Sequence, residues 1–275
     1  MALSLLVILY GAVVCSARIS PWHTLKKGLF FASFKGTTSA SHSPYSISVL
    51  KIDPHFYRLV LLMCAREGTG PLTLKQWVER YHLVAAINAS MFWKDYTTST
   101  GYMRGEGYVN QSLIHKHFGG FFVFAPLKKS LPFATIIEKG EPGWKRLLSQ
   151  YDCVVQSFRM ISKNRKNLWK KSDRTYSVSA IGIDNLHKIL FIFSLKPISM
   201  HELNDILLSL PLNIAGCIFT EGGKTAGMYI KIHGFEKSIV GYSSFNLLER
   251  EIMSHRVPNV IGVISKNIKK LKNRR

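Results

Sequence analysis

The chain has 275 residues, 47% hydrophobic and 12% aromatic, which suits one large core and excludes disorder over most of its length. Its 37 Lys and Arg against 16 Asp and Glu give a formal charge of +21. Such a surface attracts nucleic acid, anionic lipid or phosphorylated sugar without choosing among them, and a merely solvated basic face fits as well.

Taken in chain order, "MALSLLVILYGAVVCSARIS" opens with an apolar run from Leu3 to Val14. That is shorter than the roughly 20 apolar residues that cross a bilayer. It suits the core of a secretory signal cut near Ser16 or Ala17, although no basic residue precedes it. An uncleaved anchor and a buried N-terminal helix stand as alternatives. Residues 1–17 are expected to be the signal or anchor and 18–46 an irregular segment rich in Ser, Lys and aromatics. Export to the periplasm, secretion, or attachment to a membrane through the N-terminus follows from this reading.

From Ser46 the chain reads as strands, "SISVLKI" and "FYRLVLLMC". "PLTLKQWVERYH" is a short helix, because Leu74, Trp77, Val78 and Tyr81 recur at helical spacing. "LVAAINASMF" is a buried strand running into a turn, and "GGFFVFAP" a strand closed by Pro126. "PGWKRLLSQY" is a helix with Pro142 in its first turn. The basic stretch 159–174 interrupts the strands and reads as an exposed loop. "YSVSAIGID" and "KILFIFSL" form a hairpin, and "SMHELNDILLSLP" is a helix capped by Ser199 and ended by Pro211. "IAGCIF", "AGMYIKI" and "VPNVIGVIS" are strands, and 266–275 is a basic tail. Strands outnumber helices and come as neighbouring pairs. The expected class is α+β: a single domain over 47–265, with mixed, largely antiparallel sheets covered by a few helices.

Cys64, Cys153 and Cys217 each sit in an apolar run and read as buried thiols, with a Cys64–Cys153 or Cys153–Cys217 bridge left open. No CxxC, GxSxG, HExxH or phosphate-loop motif is present, and the His115/His117 pair alone is polar surface. No metal site or cofactor is expected, although a divalent cation is left open. No helix-turn-helix, zinc-finger or RNP spacing appears, so specific nucleic-acid binding is not expected.

Four stretches hold the polar residues that could do chemistry. "NASMF" begins with Asn88, an amide at a strand end that can serve a turn or a sugar hydroxyl. "TSTGYMRGEG" places Arg104 in a glycine-rich hairpin. Gln156 and Ser157 end an apolar strand, and Arg174 precedes another. "FTEGGKTAG" sets Glu221 before Gly222 and Gly223, whose backbone N–H groups can form an anion-binding concavity.

In this order the stretches resemble the phosphodiester glycosidase family over about Val84 to Ser265. Asn88 to Phe92 is similar to its Asn-x-Gly-x-Phe pattern, Gly101-Tyr102-Met103 to its glycine turn, and "GGFFVF" to its next strand. Gln156 to Phe158, Arg174 before "SAIGID", Glu221-Gly222-Gly223 and "VPNVIGV" follow. Ser90 stands for a glycine, the Gly-Pro after Ser157 is missing, and Glu221 replaces an aspartate. The extra methylene shifts the carboxylate by about 1.5 Å. The resemblance implies a hydrolase acting on a sugar 1-phosphodiester or a related anionic envelope glycan. Its departing phosphate monoester needs little protonation; the site needs cations or N–H donors for phosphate and a carboxylate for the sugar cation or water. Glu221 is then the nucleophile or base. Arg174 with the Gly222 and Gly223 backbone holds phosphate, and Asn88, Gln156 and Ser157 orient the sugar. Arg104, Lys224 and Thr225 assist. The expected partner is phosphorylated or anionic carbohydrate, with electrostatic association to a membrane surface; the oligomeric state is open. A non-catalytic binder of anionic glycan is the alternative.

Overall fold

The computed structural model describes residues 21–38, 42–241 and 256–266; the signal or anchor and the basic tail beyond Lys266 lie outside them. In chain order the strands begin with β1 (His23–Lys26), β2 (Leu29–Thr37), β3 (Pro44–Ile52) and β4 (Tyr57–Met63). Helices α1 (Cys64–Glu67) and α2 (Leu74–Arg80) lead to β5 (Ala85–Asn88), β6 (Met103–Gly105), β7 (Tyr108–Gln111), β8 (Gly120–Pro126) and β9 (Ala134–Glu138). Helix α3 (Trp144–Leu148) precedes β10 (Tyr151–Ser157), β11 (Arg159–Ile161), β12 (Tyr176–Asp184) and β13 (Ile189–Ile198). Helix α4 (Met200–Ser209), β14 (Ile214–Gly222), β15 (Gly227–Ile232), β16 (Phe235–Val240) and β17 (Asn259–Ser265) complete the described elements.

The strands form a seven-stranded sheet, β1-β2-β3-β13-β12-β14-β11, and two five-stranded sheets, β7-β6-β10-β8-β9 and β16-β15-β5-β17-β4. Every pairing between named strands is antiparallel. The expected single domain of largely antiparallel sheets covered by a few helices is there; it is sheet-dominated, where a more balanced α+β class was expected.

Side-chain alternation explains how three sheets share one core. Leu59, Leu61, Phe122, Phe124, Ile181 and Ile183 point inward, where all three sheets meet. The alternate residues point outward, and each outer face takes a helix. Val60 and Leu62 pack with Trp77 and Val78 of α2. Phe121 and Val123 pack with Leu148 of α3. Val178 and Ala180 pack with Leu203, Ile206 and Leu207 of α4. Strands β12 and β13 therefore bury both faces, which is why their sequences are almost unbroken apolar runs.

The expected caps form. Thr73 and Gln76 make a reciprocal capping box on α2, and the Ser199 hydroxyl accepts from the Glu202 N–H on α4. The segment expected to be irregular is not: β1 and β2 fill residues 23–37, and β2 pairs with β3 from Leu29↔Ile52 to Thr37↔Pro44. Cys64, Cys153 and Cys217 are buried and free, so no bridge joins them. Burial pushes the Cys153 thiol up to about 12 and raises that of Cys217 further. No described helix is long and apolar enough to cross a membrane.

Candidate functional site

Glu221 lies one residue before the end of β14, still in the sheet: Ser179 of β12 pairs with it and Val178 pairs with Gly222. The ladder shifts register between Ala180↔Phe219 and Ser179↔Glu221, leaving Thr220 as an inserted residue. Such a bulge twists a strand end and re-aims its side chains. Beyond Gly222 the chain makes one 3-10 turn, Gly223–Thr225, before β15 begins at Gly227. Gly223 opens this turn at φ +71°, a conformation that favours glycine, and a Cβ at Gly222 would press within 3.0 Å of the Tyr176 ring.

A buried polar network pins the turn. The Thr220 hydroxyl donates to the Ser179 hydroxyl at 2.9 Å, and Ser179 donates to Asn88 Oδ1 at 3.1 Å. Asn88 Oδ1 also accepts from the Gly227 N–H at 2.7 Å, while Asn88 Nδ2 donates to the Thr225 carbonyl at 2.9 Å. Asn88 is fully buried, and these bonds tie β5, β12, β14 and the turn together. Its amide thus holds the turn that follows Glu221. Asn88→Ala is expected to cost about 3 kcal/mol in a urea titration, because it strands the Thr225 carbonyl and the Gly227 N–H.

Glu221 itself is 8% exposed. One carboxylate oxygen accepts from the Gly222 N–H at 2.9 Å, and Thr225 lies close enough to help lower the carboxyl's pKa while its hydroxyl donates to the Gly222 carbonyl at 3.4 Å. Among the described residues no Lys, Arg or His forms an ion pair with it. Desolvation therefore outweighs both neighbours and raises the carboxyl from 4.5 to about 8. The group is mostly protonated at neutral pH.

The structure distributes the other sequence candidates unevenly. Gly222, Gly223 and Thr225 share the turn with Glu221, and Lys224 is exposed on it. The Gly222 N–H is spent on Glu221, so the two glycines do not offer a free pair of donors to an anion. The Phe219 N–H donates to the Phe158 carbonyl at 3.0 Å, which lays Ser157 and Phe158 beside the end of β14. Ser157 is buried, and its hydroxyl has no protein partner. Arg174 is exposed on the loop before β12 and makes no hydrogen bond or ion pair with Glu221. It lies near enough to Tyr176 to oppose the rise that burial gives that hydroxyl, and the Tyr176 ring leans on Gly222.

Two candidates have other work. Gln156 is fully buried; its Oε1 accepts from the Tyr102 and His115 N–H groups at 3.1 and 2.8 Å. Its Nε2 donates to the His115 and Phe118 carbonyls, both at 2.9 Å. All four valences of the amide are filled, so it clamps loops instead of binding sugar. Arg104 donates to the carbonyls of Leu148, Tyr151 and Asp152, closing the C-terminal end of α3. Ser179, Thr220 and Tyr176 were not singled out from sequence. The signal was there for Ser179: a hydroxyl in the buried run of "YSVSAIGID" needs a buried partner. His115 and His117 have ring centroids 5.8 Å apart, and no group of three or more His, Cys, Asp or Glu gathers among the described residues.

A three-sheet antiparallel fold with an acid and two glycines at a strand end matches a known class. The family profile of phosphodiester glycosidases matches residues 81–264, and the chain belongs to that family. Among solved structures it is similar to the catalytic domain of zebrafish N-acetylglucosamine-1-phosphodiester alpha-N-acetylglucosaminidase, described as auto-inhibited by its pro-peptide. That match has a TM-score of 0.65 and 12% identity, covering 89% of this chain and 86% of that one. A hypothetical protein from Synechocystis matches with a TM-score of 0.60 and 13% identity, over 91% of this chain and 65% of that one. At these identities the likeness is one of fold. No curated protein matches the sequence.

Proposed function

We propose that the chain hydrolyses a sugar 1-phosphodiester, with Glu221 as the general base. The observation that carries this reading is a buried carboxyl at the family's acid position, with the Gly222 N–H donating to it and Thr225 beside it. Both groups stabilise its ionised form. In the proposed step, water adds to the anomeric carbon and gives its proton to Glu221 while the bond to the phosphate oxygen breaks. The electron pair leaves with the phosphate monoester, a group stable as an anion, so the reaction needs little acid assistance. Lys224, exposed on the turn, and Arg174, exposed on the loop before β12, would hold the phosphate. The unpartnered Ser157 hydroxyl would take a sugar hydroxyl. Export is part of the proposal and rests on the Leu3–Val14 run.

Binding without turnover is the second reading, favoured by the Glu221 carboxyl being turned onto its own backbone neighbour. A panel of sugar 1-phosphodiesters offered to the purified protein separates the two. The hydrolase reading expects released phosphate monoester from the wild type and far less from Glu221→Gln. Saturable binding with no product from either protein would favour the binder.

A further inference from the structure

Five of the eight exposed large hydrophobic side chains among the described residues fall within residues 93–114. Trp93 and Tyr96 are each 52% exposed, Val109 50%, Leu113 74% and Ile114 40%. The other three, Leu127, Leu168 and Leu186, lie far apart in sequence. Scattered apolar side chains are ordinary; a concentration on neighbouring loops marks an interaction surface.

The two loops that carry them are joined. Asn110 Oδ1 accepts from the Ser99 N–H at 2.7 Å, and its Nδ2 donates to the Thr97 carbonyl at 3.0 Å. Gln111 Nε2 donates to the Ser99 carbonyl, and Gln111 Oε1 accepts from the Leu113 N–H. Gln156 fixes the far end of the second loop through His115. The patch is therefore a constructed rim. It leaves β5 directly after Asn88, which holds the turn beside Glu221.

Its chemistry selects the partner. Lys94 is next to Trp93, Lys116 follows Ile114 by two residues, and Lys139 Nζ donates to the His115 and Lys116 carbonyls. Among nearby acids, Glu106 is paired with Arg66, while Asp95, held ionised by the Thr97 and Thr98 N–H groups, is the one carboxylate set beside Lys94. Aromatic and aliphatic tips ringed by cations, on a chain of charge +21, fit the boundary between acyl chains and anionic headgroups. We propose that this rim, led by Trp93, Leu113 and Ile114, inserts into an anionic bilayer surface and holds the Glu221 turn close to it.

The test is sedimentation of the full chain with vesicles of phosphatidylcholine and phosphatidylglycerol in equal parts, beside vesicles of phosphatidylcholine alone. Trp93→Ser/Leu113→Ser/Ile114→Ser is expected to weaken binding to the mixed vesicles by about a hundredfold, because three apolar side chains lose their burial. The N-terminal segment is common to both proteins and cancels in the comparison. Acyl-chain bromolipids are expected to quench wild-type emission more than that of Trp93→Phe. Equal binding of the triple variant, or no Trp93-dependent quenching, overturns the proposal. So does a change of oligomeric state in the triple variant without loss of lipid binding, since the rim would then face another protein. Turnover of a soluble sugar 1-phosphodiester is expected to survive all these substitutions, so failure here leaves the hydrolase reading standing and the reverse also holds.

Discussion

Glu221→Gln is expected to lower kcat on a sugar 1-phosphodiester by a factor on the order of 10²–10⁴ and yet to stabilise the fold at alkaline pH. Both effects come from one burial. The unfolded chain ionises this carboxyl near 4.5, whereas the folded protein keeps its proton until about 8. Between those values the folded state binds a proton that the unfolded state has lost. Stability must therefore fall as pH rises through that window and level off above it. The loss is at most about 5 kcal/mol, from the size of the shift. Glutamine keeps an oxygen for the Gly222 N–H and never ionises. Denaturant titrations of the two proteins at pH 5 should nearly coincide, while at pH 9 the variant should be the more stable by a few kcal/mol, within the bound above. The wild-type kcat should rise with pH toward a plateau above about 8, because the base works only when ionised. A rate that falls over the same range would make Glu221 the acid.

Gln156→Leu is expected to cost about 4 kcal/mol or more, with a lower urea midpoint and faster hydrogen exchange at the Tyr102 and His115 amides. Leucine fills nearly the same volume but offers no polar atoms. Four backbone groups on the 102 and 115–118 segments would be left buried and unpaired, at roughly 1–3 kcal/mol each before relaxation. A variant that keeps its stability and instead shows a raised KM would return Gln156 to the sugar.

These two residues also show what the chain discloses in one dimension. Strands β8, β12, β13 and β17 and helices α2 and α4 are legible because apolar runs, caps and prolines mark their ends. Glu221 is legible because an acid before two glycines is rare punctuation. Strands β1 and β2 are not: their ladder depends on β3, and the pattern of Ser, Lys and aromatics carries no clear period by itself. Nor is the division into three sheets, since β12 pairs with β14 and β4 with β17 over long separations. The roles of Gln156, Arg104 and Asn88 are hidden for a further reason. A polar side chain at a strand end needs partners, but its identity does not tell whether they will be a ligand or the protein's own carbonyls.

The free thiols have a use that follows from their placement. Cys64 follows β4, Cys153 lies in β10 and Cys217 in β14, so each of the three sheets holds one next to or within its strands. None needs an oxidant to form the fold, and a reducing cytosol and an oxidising envelope should give the same described structure. Because each is sealed until its sheet opens, timed alkylation can show which sheet comes apart first, with no cysteine introduced.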